Sequence, residues 1–183
     1  MRTIAIFFTE YSFQGGNNMI ISQKAEESLN RLLQKLFGGN ARIDNLYYNL
    51  QYKHLNKLAD AIHEPVAHQL PEWADNVSDL IDHLGGRPKR YGAPDYTQEY
   101  QSAKEVFLDL KEYFAELQNM VKKDIDELEL SDDFEVRIFL EDFLLKTVTP
   151  YSKQAEEWYN ASEMLDENSF NIHIEDYTHY IKQ

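Results

Sequence analysis

The sequence predicts an all-α protein, an antiparallel four-helix bundle with one long crossover connection. Three observations carry this. Apolar residues recur at i, i+3, i+4 and i+7 through most of the chain, the period of a helix with one buried face. Strand-like patterning is weak outside the two ends. The connections are short apart from one, and short connections join antiparallel neighbours. A length of 183 residues suits one domain with a sizeable core.

The first helix is expected from Ser22, with Leu29, Leu32, Leu33 and Leu36 on one face and Ile43, Leu46, Tyr47 and Leu50 continuing it. Gly38-Gly39 interrupts that stripe. Each Gly costs about 1 kcal/mol in a helix interior, so either a neighbour packs closely there or the helix bends. A second helical stretch runs from near Leu55 to Leu84, where Gly85, Gly86 and Pro88 close it. Pro65 and Pro71 fall inside it and predict a kink or a late start. "PKRYGAPDYTQ" reads as the long connection. Val106, Phe107, Leu110, Phe114, Leu117, Val121 and Ile125 form the apolar face of a third helix. "LSDDFE" breaks it, with Ser131 or Asp132 expected to cap a fourth. That fourth helix is expected to bury Ile138, Phe139, Phe143 and Leu144 or their neighbours, to meet Pro150, and to resume through Trp158. The organisation that follows is an N-terminal extension (1–20), a bundle (21–160) and an acidic C-terminal tail (161–183).

The formal charge of −14 comes from 32 acidic against 18 basic residues. Direct DNA binding needs clustered Lys and Arg to displace counterions, and the only tight basic cluster is Arg87, Lys89 and Arg90. The absence of Cys excludes disulfides and thiolate ligands. The apolar runs are too short for a membrane span. The first 18 residues lack the apolar region of a signal peptide and read as an extension preceding a second start at Met19, which implies a cytoplasmic protein.

Two groups of side chains could hold a metal. Asp75 and Asp79 lie one turn apart on a helix face, where two carboxylates repel unless a hard or borderline cation joins them. The alternative is a solvated acidic stripe. Asp60 and His63 form a second pair at i, i+3, a carboxylate with an imidazole, or else an exposed turn end before Glu64-Pro65. Tyr47 and Tyr48 fit core or interface packing. His54, His68 and His83 show no ligand spacing with one another. There is no Gly-rich phosphate loop and no serine nucleophile elbow.

Over about residues 25–160 the chain resembles the Dps-like branch of the ferritin superfamily. The likeness is carried by "LNRLLQKLFGGNARIDNLYYNLQ" and "DNVSDLIDHLGGRP", whose spacing from Asp75 to Gly85-Gly86 matches without a gap. The resemblance puts Asp75 and Asp79 on the family's Asp and Glu metal ligands, contributed across a subunit interface. Tyr47 and Asp60 stand where the family has its two histidines, and His63, one turn beyond Asp60, offers a substitute imidazole. The implied protein binds and oxidises Fe(II), stores Fe(III) in an oligomeric shell, a dodecamer by resemblance, and protects against oxidative stress or starvation. The alternative is a ferritin-fold structural or interaction protein without ferroxidase activity.

Overall fold

The computed structural model describes residues 20–181. The expected N-terminal extension, apart from Ile20, and the start at Met19 lie outside them. The described residues form four helical rods: α1 (Gln23–Tyr52), α2 and α3 (Asn56–Ile62 and Gln69–His83), α4 (Ala103–Leu128), and α5 and α6 (Phe134–Phe143 and Thr149–Met164). A short α7 (Glu167–His173) and a 3-10 turn (Ile174–Tyr177) follow. No strand occurs among the described residues.

Ion pairs across the bundle give the directions. Arg31–Asp124 (2.5 Å), Lys35–Glu116 (2.6 Å) and Arg42–Asp109 (2.6 Å) run up α1 and down α4, so these two are antiparallel. Lys104–Glu163 and Lys111–Glu156 do the same for α4 and α6. The Asn40 amide donates to Ala67 O, and Ile20 N–H to Leu84 O, so α3 also opposes α1. Hence α3 and α4 are parallel, and the segment 84–102 must travel the whole bundle length. It does so along α1. Asn30 donates to Arg87 O and accepts from Lys89 N–H, and Arg90 stacks on Phe37 at 3.7 Å. Asn45 and Asn49 both donate to Gln98 O, and Lys53 donates to Gln101 O. These side chains satisfy backbone groups that no regular structure pairs.

Each end of the expected second helix has a physical cause. Gly85 adopts φ 75°, and Gly86 N–H reaches Ile81 O at 2.9 Å, closing the C-terminus. In place of a kink, a π turn at His63–Ala67 joins α2 to α3 around Pro65. Proline has no N–H for the α-helical bond, and the wider turn bonds His68 N–H to His63 O at 3.1 Å instead. A second π turn, Leu144–Val148, precedes Pro150.

Three expectations are corrected. Asp133, not Ser131 or Asp132, precedes α5, and its carboxylate is taken by the N–H and hydroxyl of Ser22. On α5, Phe143 is buried as expected and Phe139 and Leu144 pack half-buried on the core, but Ile138 is 45 % exposed and Val136 and Leu140 take the inward positions with Phe143. Residues 161–183, expected as an acidic tail, are folded through Ile181. Phe170, Ile174 and Ile181 are buried. Gln154, itself buried, donates to Tyr177 O and accepts from His179 and Tyr180 N–H, clamping this segment to α6.

The paired glycines are explained by a neighbour. A Cβ on Gly39 would stand 2.0 Å from the Tyr113 hydroxyl oxygen, whose proton goes to Lys35 O. A Cβ on Gly38 would meet Pro94 at 3.7 Å and the Tyr96 hydroxyl oxygen at 3.9 Å, both ordinary contacts. Gly39→Ala should therefore destabilise by about 1–3 kcal/mol through overpacking. Gly38→Ala should be neutral or gain up to about 1 kcal/mol of helix propensity, read from denaturant midpoints.

Burial drives the Asp124 carboxyl above its ordinary range despite the opposing Arg31 guanidinium, and its Oδ2 has no hydrogen-bond partner. A raised folded-state value means that the ionised form costs stability above it. Arg31→Met would leave that charge unanswered, with an expected loss of about 3 kcal/mol at neutral pH. The loss should shrink as pH falls and Asp124 takes up a proton, a slope that urea titrations at several pH values would show.

Candidate metal centre

Among the described residues the bundle interior is packed with apolar side chains. The inward face of α2 and α3 is Leu58, Ile62, Val66, Leu70 and Ala74, and α4 answers with Val106, Leu110, Phe114, Leu117 and Val121. Among the described residues the buried carboxylates are Asp124 and Asp133, each held by Arg31 or Ser22. The Glu and Glu-x-x-His pairs that build metal sites inside such bundles are replaced here by aliphatic packing. Any metal chemistry therefore belongs to the outer surface.

On that surface, among the described residues, one cluster gathers ligand atoms. His63, Glu64 and His68 offer two imidazole nitrogens and a carboxylate oxygen, all within 4.8 Å of one another. Glu64 lies 3.2 Å from His68 Nδ1 and 3.8 Å from His63 Nδ1. The π turn makes this possible. Five residues along an α-helix separate two side chains by about 140°, too far to share a ligand. The extra residue in the turn rotates His68 back, and the two rings sit 4.3 Å apart.

The surroundings hold the cluster on its α1 side. Tyr47 stacks on His63 with ring centroids 4.1 Å apart and planes at 14°, and its hydroxyl oxygen accepts from the Gln51 amide at 2.5 Å. Asp44, one turn earlier on α1, lies within electrostatic reach of both imidazoles. Burial pushes its carboxyl above the usual range, and the two histidines pull it down. Exposure rises away from α1, from 27 % at His63 to 51 % at His68 and 74 % at Glu64. The cluster is thus walled by α1 and open outward.

The sequence-derived candidates divide among three places. Tyr47 and His63 meet in this cluster. Asp60 is exposed and faces a groove of about 560 Å³, which Glu64, Tyr151 and Glu175 also line. Asp75 and Asp79 are exposed on α3. With a rise of 1.5 Å per residue, Asp75 lies roughly 18 Å along the rod from His63. Asp79 borders a different groove of about 930 Å³, beside Trp73, Phe139 and Asp142. Within one protomer, therefore, Asp75 and Asp79 do not reach the imidazoles. Asp44, Glu64 and His68 were missed by sequence reasoning. The available signal was Pro65 between the two histidines, since a helix-interior proline changes which residues share a face.

The sequence matches no protein-family model and no curated protein. The fold does have counterparts among solved structures. An Archaeoglobus fulgidus ferritin engineered into a closed form superimposes with a TM-score of 0.77 at 17% identity, covering 85% of this chain and 94% of that one. An open-pore ferritin from the same archaeon gives 0.74 at 16% identity, over 85% and 95% of the two chains. A humanized archaeal ferritin gives 0.77 at 15% identity, over 85% and 93%. The architecture is ferritin-like, an all-helical bundle. At these identities the likeness is one of fold. No helix among the described residues is long and apolar enough to cross a membrane.

The stack makes Tyr47 a cover for His63. Tyr47→Ala should speed carbethoxylation of His63 while leaving His68 unchanged, and Tyr47→Phe, which keeps the ring, should react as the parent does. Peptide mass mapping after diethylpyrocarbonate treatment reads both sites.

Proposed function

We propose that this chain is an iron-binding protein of the Dps-like branch, built on the ferritin fold, that takes Fe(II) at the His63–Glu64–His68 centre. The observation that carries the reading is the pairing of two imidazoles with a carboxylate at the π turn between α2 and α3, against α1. Two histidines and one carboxylate with open positions suit ferrous iron. The family's two histidine positions hold Tyr47 and Asp60 here, and His63 and His68 take over the imidazole role. Asp44 and Glu64 supply negative charge to the cation, and Tyr47 covers one side of the site.

Asp75 and Asp79 are proposed to act from a facing subunit, as the resemblance implies, with Asp60 on the approach along the acidic groove. Two Fe(II) each give one electron to a peroxide, which leaves as water or hydroxide. The ferric product is stored inside an oligomeric shell, in the cytoplasm, as protection during oxidative stress or starvation. A second reading is a ferritin-fold interaction protein without ferroxidase activity. The replacement of both family histidine positions by Tyr47 and Asp60 favours it.

Anaerobic Fe(II) titration followed by peroxide addition separates the two. Saturable binding and oxidation above the buffer rate are expected for the parent protein. His63→Gln with His68→Ala should remove both, and Asp75→Ala with Asp79→Ala should slow oxidation if the facing subunit contributes. Parent and histidine variant both oxidising at the buffer rate would leave the interaction reading. Light scattering should give a mass many times that of one chain, and a monomer would count against the shell.

A further inference from the structure

We infer that the His63–Glu64–His68 centre is a preformed site for zinc-class divalent ions, which occupy it in preference to ferrous iron and shut iron out, with Asp44 balancing the charge of the bound ion. This rests on the reading that iron passes through the same centre. The argument begins with the donor atoms. Calcium and magnesium want cages of oxygen, and two imidazoles beside one carboxylate do not provide one. For a nitrogen and oxygen site, affinity rises from Mn(II) through Fe(II), Co(II) and Ni(II) to Cu(II), and Zn(II) also exceeds Fe(II). Ferrous iron is therefore among the weaker ligands of its own centre.

Geometry supports an ion of this size. Ligands about 2.1 Å from one ion lie at most about 4.2 Å apart. The three donors already sit within 4.8 Å, and the most exposed of them, Glu64 and His68, need only small torsions to close the gap. The site does not have to be assembled. Pro65 denies the segment an α-helical bond, and the buried series Leu58, Ile62, Val66, Leu70 and Ala74 holds α3 in the register that the π turn creates. A chelate whose arms are already in place avoids most of the ordering cost of binding. Three protein ligands leave a position open, the pattern of an exchangeable rather than a purely structural ion.

Asp44 completes the electrostatics. Two neutral imidazoles and one carboxylate leave a divalent ion with one net positive charge. The half-buried Asp44 carboxylate lies one turn before Tyr47, on the α1 face that meets His63, within electrostatic reach of both imidazoles, and opposes it. Asp44 is thus a positioning residue, acting through the histidines and the charge of the ion.

The test uses the full-length, metal-free protein and Co(II), whose visible absorbance reports the ligand field. One saturable Co(II) per chain is expected, released by one equivalent of Zn(II) and not by a large excess of Mg(II). His68→Ala should weaken Co(II) binding by tenfold or more. His68 is half exposed, so this variant keeps the test readable if His63→Gln fails to fold. Asp44→Asn should weaken binding about tenfold with the band shape unchanged, and Asp44→Glu should restore most of it, a pattern that a merely structural role would not produce. One equivalent of Zn(II) should also lower Fe(II) oxidation to the level of the histidine variant. Co(II) binding that ignores His68→Ala, or that Zn(II) cannot displace, would overturn the inference. So would iron oxidation that is indifferent to Zn(II), which would leave the iron reading to other residues. Histidine-dependent Co(II) and Zn(II) binding in a protein that oxidises no iron would instead remove the iron reading and keep the zinc-class site.

Discussion

Two of the four rods must carry proline through their interiors and still keep one apolar face turned inward. In the second rod the buried side chains are Leu58, Ile62, Val66, Leu70 and Ala74, a step of four residues throughout. Each such step overshoots a straight α-helix by about 40°, so the face would turn by about 160° over the series. The π turn at His63–Ala67 takes up the excess while accommodating Pro65. The turn at Leu144–Val148 serves the fourth rod in the same way before Pro150. Without these turns Trp73, Val77 and Ile81 would rotate toward solvent, and the contact between α1 and α3 would be lost.

The same turn decides where candidate metal ligands gather. Among the described residues, a bundle filled with leucine, valine and phenylalanine buries, of its carboxylates, only Asp124 and Asp133, both already held, and leaves the imidazoles on its outside. There the wider turn brings a second imidazole beside the first, under the wall made by Asp44 and Tyr47 of α1. Packing inside and ligand placement outside are two faces of one backbone irregularity. Pro65 contributes to both without being a ligand.

Around this centre the rest of the fold acts as support. The crossover is tied to α1 by Asn30, Asn45, Asn49 and Lys53, and the ion pairs from Arg31 to Asp124 and from Arg42 to Asp109 hold α4 against the same helix. Helix α1 therefore touches every layer that positions Asp44 and Tyr47. The C-terminal segment, gripped by Gln154, covers the bundle end near α2 and supplies Ile174 and Glu175 to the groove that Glu64 also borders.

Apolar periodicity determined the four rods, and glycine and proline placement the long crossover and the closure at Leu84, because each depends on residues close together in sequence. The carboxylates Asp60, Asp75 and Asp79 could likewise be read as helix-surface groups, since spacings of three and four have a fixed meaning in an α-helix. His68 could not be joined to His63 in that way, because a spacing of five means opposite sides until a π turn intervenes. Whether that turn forms depends on the register between two rods, which is a property of the packed core. Tertiary contacts also decided that Gly39 answers Tyr113, that Asp133 serves Ser22 rather than its own helix, and that the acidic C-terminal stretch folds back. Each of these joins partners far apart in the chain, and no local pattern encodes such a distance.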